Sequence, residues 1–217
     1  MENKQAPVIT IDGPAGSGKG TIATLLAQHL GWQLLDSGAI YRVAAQAALE
    51  AGIPLEDATA LVELIQSLEM HFADGKVWRN GQEVSLAIRT PETADATSRI
   101  SALPAVRIAL MDRQRAFRQL PGLVADGRDM GTVIFPDAKL KVFLTASPEI
   151  RAERRHKQLS EQGIYASITA LIGEIKERDE RDSNRSIAPL RPAADALMID
   201  SSQLNPEQVL HLILQNQ

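Results

Sequence analysis

Residues Gly13-Pro14-Ala15-Gly16-Ser17-Gly18-Lys19-Gly20-Thr21 carry the most specific chemistry in the chain, and they follow the β-branched run Val8-Ile9-Thr10-Ile11. A Gly-rich turn between a strand and a helix aims successive backbone N–H groups at one point. The new helix adds the partial positive charge of its N-terminus, and Lys19 adds a full one. Glycine at these places lets the backbone approach an anion with no Cβ in the way. Residues 13–21 are therefore read as a phosphate-binding loop that takes a nucleoside polyphosphate. In most such loops a Ser or Thr follows the Lys and ligates Mg²⁺. Here Gly20 stands there and Thr21 comes one place later. That departure argues against a GTPase, and the guanine-reading pattern Asn-Lys-x-Asp occurs nowhere in the chain.

A second group of basic residues falls where a second anion would be met. Ser37 and Arg42 follow the apolar segment 33–36, and Arg128 follows 123–126. As ends of parallel strands these lie on the loop's side of a sheet, where ligands of such folds bind. Arg binds phosphate oxygens through a planar fork. Further along, Arg178, Arg181, Asp182 and Arg185 are spaced three, four and seven apart, one face of a helix. Three Arg with one acid leave positive charge suited to nucleotide phosphates. Arg151, Arg154 and Arg155 begin the preceding helix, where they could contribute to a lid closing on the bound nucleotide.

The elements that must position these residues form an α/β pattern. Segments 8–11, 33–36, 123–126, 140–144 and 196–200 read as buried parallel strands between helical stretches 19–30, 38–51, 92–119 (broken at Pro104), 148–160, 167–184 and 205–215. Ser37, Ser147 and Asn205 stand where N-caps belong, with Pro148 and Pro206 at first helical positions. After a helix at 56–68, residues 70–86 break the alternation. The turn dipeptides Asp74-Gly75 and Asn80-Gly81 divide them into an antiparallel meander. Residues 53–100 are accordingly read as an insertion, either a structural excursion or a region that folds over a second substrate. Residues 1–52 and 101–217 form the core domain, with a mobile lid near 155–170 that flexes at Gly163.

Composition excludes several classes. The chain of 217 residues has no Cys, which removes disulfides and thiolate chemistry, and its four His are too dispersed for a zinc site. A formal net charge of −4 argues against a nucleic-acid surface. With no apolar leader and no apolar span, a soluble cytoplasmic protein without membrane partners is expected, as a monomer.

Five blocks carry a family resemblance: the phosphate loop, Leu35-Asp36-Ser37-Gly38-Ala39-Ile40-Tyr41-Arg42, Ile88-Arg89-Thr90, Asp126-Gly127-Arg128-Asp129-Met130-Gly131, and Arg178-Asp179-Glu180-Arg181-Asp182-Ser183-Asn184-Arg185. The loop alone resembles that of nucleoside monophosphate kinases. Together, in order and spacing, the blocks resemble the bacterial cytidylate kinase family, P-loop kinases that phosphorylate CMP or dCMP from ATP. The resemblance implies a parallel core sheet flanked by helices, an inserted monophosphate-binding region and a mobile lid. It also implies Mg²⁺ held mainly by phosphates and water, with no protein metal ligand.

By the same resemblance Lys19, Arg128 and Arg178 are the catalytic cations. Ser37, Arg42 and Arg128 hold the CMP phosphate, with Tyr41 beside them. Arg178 and Asp182 meet the ribose, and Ser98, Arg107, Asp129 and Arg185 surround the base. Asp129 is either the acceptor for cytosine N4 or a salt-bridge partner of Arg128 or Arg107. Asp36 either orients its loop or meets Mg²⁺ through water. Outside this reading stand a P-loop enzyme for another small acceptor, such as UMP, AMP or shikimate, and a nucleotide-binding regulatory module.

Overall fold

The structure is a computed structural model that describes residues 5–73, 75–161 and 163–216. Asp74 of the expected Asp74-Gly75 turn and Gln162 of the expected lid lie outside the described residues. In chain order the elements are β1 (Val8–Asp12), α1 (Lys19–Leu30), β2 (Gln33–Asp36), α2 (Ser37–Glu50), α3 (Ala58–Ser67), β3 (Met70–Ala73), β4 (Lys76–Arg79), β5 (Gln82–Glu83), α4 (Pro91–Ile100) and α5 (Pro104–Arg115). They continue with β6 (Leu123–Gly127), β7 (Leu140–Thr145), α6 (Pro148–Glu161), α7 (Ile168–Ser183), β8 (Leu197–Asp200) and α8 (Pro206–Leu214).

Residues up to Leu35 and from Phe117 onward form one compact unit. Its five-stranded sheet has the order β2-β6-β1-β7-β8, with parallel pairing of β1 to β6, β1 to β7 and β7 to β8. All five residues of β1 are buried, as the centre of a parallel sheet requires. Ile9 and Ile11 pack with Val124, Val142 and Leu144 of neighbouring strands, against Ile22 and Leu26 of α1 and Val209 and Ile213 of α8. This apolar seam fixes the strand end from which the phosphate loop leaves. Asn205 and Gln208 form a reciprocal capping box on α8, and Ser147 Oγ accepts from Ile150 N (3.3 Å).

Residues Asp36–Ala116 form the second unit, wider than the 53–100 insertion read from the sequence. The reason is packing. Ala39, Val43 and Ala47 of α2 share one apolar cluster with Leu68, Val77, Val84 and Ile88, so the small sheet β3-β4-β5 carries α2 with it. The meander is antiparallel as expected, with Asn80 (φ 48) and Gly81 (φ 78) making its second turn. Its last strand is shorter than expected because Ser85 leaves the ladder and accepts from Val77 N through its side chain (3.0 Å).

Three local expectations need correction. The N-cap of α2 is Asp36, whose Oδ1 accepts from Ala39 N (2.8 Å), and Ser37 is the first helical residue. The stretch 92–119, broken at Pro104 as expected, ends at Arg115 and not at 119. Residues Met130–Ile134, unassigned by the sequence, form one π-helical turn.

Candidate active site

The phosphate loop runs from β1 into α1 as the sequence implied. Gly13 is irreplaceable on steric grounds: a Cβ there would stand 2.0 Å from the backbone oxygen of Leu144, and φ is +149°. Gly18 takes the left-handed N-cap position of α1. Lys19 is buried, and its Nζ donates to Pro14 O (2.8 Å). Burial pulls its pKa down to about 7. Arg128 and Arg178 push the same way, while Asp126 and Asp12 oppose them. Arg128 and Arg178 therefore both act on Lys19, and the three cations expected to be catalytic all lie in this unit.

The same unit holds the α7 residues expected on the acceptor side. Asp182 is buried and accepts from Arg128 Nε (3.2 Å) and from Arg185. Burial alone would raise the pKa of its carboxyl, but the guanidiniums of Arg128, Arg185 and Arg178 outweigh it and hold it below the usual range. Arg181, expected on the same face, is instead exposed beside Glu177, Glu180 and Asn184. Its helical angle falls at the edge of the 178–182–185 stripe, so only three of the four residues turn inward. Asp129 is 2% exposed, and its carbonyl accepts from Val133 N (2.9 Å) and Ile134 N (3.2 Å) of the π-helical turn.

Asp12 was missed by the sequence reading. Both of its oxygens accept backbone N–H groups, from Met130 and Gly131, each at 2.8 Å. Burial raises its pKa to about 7 against the opposing pull of those N–H groups. The last residue of β1 thus pins the turn that follows Arg128 and Asp129. An acid directly before the first glycine of the loop was the available signal. Arg151 and Arg154 are also placed differently from expectation. Neither stands as a lid arm: Arg151 is bound to Ala15 O, Ala146 O and Asp179, and Arg154 to Ser17 O and Ser201.

The other unit brings together the remaining expected residues. Arg42 donates to Asp36 Oδ2 (2.9 Å), so Asp36 both caps α2 and holds this guanidinium. Ser37, almost fully buried, donates to Gln114 Oε1 (2.7 Å), a partner the sequence reading did not name. The Arg107 guanidinium carbon stands 5.6 Å from the Tyr41 ring centroid, and Nη1 donates to Ser101 O (3.1 Å). Ser101 Oγ donates in turn to Ser98 O (3.1 Å). Ser98 is 3% exposed, and its Oγ has no hydrogen-bond partner among the described residues.

A Gly-rich loop on the central strand of a parallel five-stranded sheet, with a buried Lys at the start of the next helix, defines a P-loop α/β protein. A solved structure of an uncharacterized protein from Eubacterium ventriosum ATCC 27560 shares the fold, with a TM-score of 0.50, 13% identity and 97% of each chain covered. Sequence goes further. The family profile of cytidylate kinase matches residues 9–217, and the chain belongs to that family. It is 57% identical over 213 residues to the cytidylate kinase of Klebsiella pneumoniae (strain 342), covering 96% of this chain and 94% of that one. With the cytidylate kinase of Pseudomonas putida (strain W619) it shares 56% identity over 217 residues, 97% of this chain and 95% of the other.

Proposed function

We propose that this chain transfers the γ-phosphoryl group of ATP to CMP or dCMP, giving ADP and CDP or dCDP. The observation that carries the reading is Lys19, buried in the phosphate loop with Nζ on Pro14 O, and Arg128 and Arg178 close enough to act on it. Asp12, Asp126 and Asp182 offset part of that positive charge, and incoming nucleotide phosphates would offset more of it. Family membership supplies the acceptor.

In the proposed reaction an acceptor phosphate oxygen, already ionised at pH 7, attacks the γ-phosphorus in line. The bond from that phosphorus to the β,γ-bridging oxygen breaks, and the electron pair leaves on ADP. No general base and no covalent intermediate are needed. The loop of residues 13–21 and Lys19 hold the donor phosphates. Ser37, Arg42 and Arg128 are assigned to the acceptor phosphate, and Arg178 and Asp182 to the ribose. Ser98, Arg107, Asp129 and Arg185 are assigned to the base. The solitary buried hydroxyl of Ser98 supports its assignment, since leaving such a group unpaired costs about 1–3 kcal/mol.

Mg²⁺ bound with ATP would be held mainly by phosphates and water and would supply neutralisation of phosphate charge beside Lys19. A Cβ on Gly20, where other loops carry the metal-binding hydroxyl, would stand 3.4 Å from Asp126 Oδ2. That carboxylate fits a metal kept mostly by phosphates and water, which takes one or two carboxylates at most. The 155–170 segment is proposed as a lid. It contains Gly163 (φ 74°) and the fully exposed Tyr165 between α6 and α7. The proposed enzyme is cytoplasmic and acts as a monomer.

ADP formation from ATP, followed with and without CMP, tests the proposal. CMP-dependent ADP release is expected, and Lys19→Ala is expected to lower kcat by about 10²-fold or more. ADP release indifferent to CMP, or full activity in a folded Lys19→Ala protein, would overturn it.

A further inference from the structure

The phosphate loop is gripped by its carbonyl groups. Ala15 O accepts from Arg151 Nη1 (3.1 Å), and Ser17 O accepts from Arg154 Nη1 (3.3 Å) and Ser201 Oγ (3.0 Å). In a planar trans peptide the C=O of one residue and the N–H of the next point in opposite directions. Anchoring Ala15 O from behind the loop therefore aims the Gly16 N–H the other way. Anchoring Ser17 O does the same for the Gly18 N–H. Both glycines hold positive φ, 78° and 94°, the conformation that successive inward N–H groups require.

The two guanidiniums are themselves fixed. The Arg151 side chain is 3% exposed; its Nε donates to Ala146 O (2.9 Å), and its fork meets Asp179 at 3.0 and 2.5 Å. That is a planar bidentate pair, which sets the direction of the remaining Nη1–H toward Ala15. Arg154 is fixed through Nη2 to Ser201 O (2.7 Å) and through Nη1 to Ser201 Oγ (3.2 Å).

We propose that Arg151 and Arg154 are positioning residues of the donor site. By holding the Ala15 and Ser17 carbonyls they fix the Gly16 and Gly18 N–H groups as phosphate donors, and Asp179 holds Arg151 to that task. The proposal rests on reading residues 13–21 as the ATP site. It differs from a lid role, because the two side chains act on the loop's backbone and not on the nucleotide.

Calorimetric titration of the full chain with tripolyphosphate, ADP and CMP tests it in wild type, Arg151→Lys, Arg154→Lys and Asp179→Asn. Lys keeps the charge but loses the planar fork, so long-range attraction is unchanged and only geometry is lost. The Kd for tripolyphosphate and for ADP is expected to rise about tenfold in each Lys variant, the worth of one charge-assisted hydrogen bond. A smaller rise is expected in Asp179→Asn, and CMP affinity in Arg154→Lys should stay within about twofold. Unchanged tripolyphosphate affinity in both Lys variants would overturn the proposal. So would an equal loss of ADP and CMP affinity accompanied by a fall in Tm, which marks a merely structural role. Should Arg151→Lys fail to fold, Arg154→Lys and Asp179→Asn decide. A wild-type protein that binds neither tripolyphosphate nor ADP would instead contradict the donor-site reading.

Discussion

Replacing Asp182 with Asn keeps the shape of the side chain and removes its charge. In the native site that carboxylate is 1% exposed and accepts from Arg128 and Arg185, with Arg178 close enough to act on it electrostatically. Taking away one partner of a buried ion pair costs about 3–5 kcal/mol, because the remaining charges stay desolvated and unbalanced. Arg128 keeps 22% of its side-chain surface in water, so the low end applies, about 3 kcal/mol. For a chain of this size each kcal/mol lowers Tm by roughly 2–4 °C, which gives a fall of about 6–12 °C by thermal melting. The pH dependence of the gap has a definite sign. The folded pKa of Asp182 is depressed, so its stabilisation is fully present above the usual value of 3.8 and is lost as pH falls through the folded pKa. The wild-type advantage should therefore be constant from about pH 5 to 8 and shrink in more acid solution. An Asn variant melting within about 2 °C of wild type at neutral pH would refute the electrostatic account of this cluster.

Other outcomes follow from the same geometry. Lys19 has a pKa of about 7 in the free protein, and bound phosphates favour its charged form. Binding ATP above pH 7 then takes up a proton, so the Kd should rise about 16-fold from pH 7 to 8.5, its slope nearing tenfold per unit only above pH 8, and Lys19→Arg should flatten the slope; a flat wild-type profile would contradict this. Gly13→Ala drives a Cβ against Leu144 O at a positive φ, and a loss of about 3 kcal/mol or more in denaturant unfolding is expected. Asp182→Ala should weaken CMP more than dCMP, because only CMP offers a 2′-hydroxyl. Equal weakening of both would assign the residue to holding Arg128 and Arg185 only.

Much of this was legible because local chemistry and fold agreed. Gly13, Gly16 and Gly18 before Lys19, the β-branched run at β1 and the Pro residues opening α6 and α8 each point to one structure. What escaped the sequence depends on partners far away along the chain. Nothing in the residues around Asp12 says that its carboxylate will meet Met130 and Gly131 N–H groups, more than a hundred positions on. Arg151 and Arg154 look like free arms on a helix, because the carbonyls that hold them belong to another element. The breadth of the second unit was hidden for a similar reason: α2 reads as part of a βα repeat, and only the apolar cluster with Val77, Val84 and Ile88 shows which body it joins. Arg181 was misassigned by counting spacing without angle, since a residue three positions from Arg178 sits at the rim of the stripe.

The central claim is phosphoryl transfer directed at cytosine. Cytosine offers an N4 donor and an N3 acceptor, and uracil reverses both, so a site with Arg donors and a carboxylate acceptor is mismatched twice by UMP. Each mismatch in a dry site is worth about 1–3 kcal/mol. The direct measurement is kcat/KM for CMP, dCMP, UMP and AMP with ATP as donor, read as ADP formed in a coupled assay. The expected result is CMP favoured over UMP by at least about tenfold, with AMP lower still. A protein that prefers UMP or AMP, or that treats CMP and UMP alike, would contradict the account.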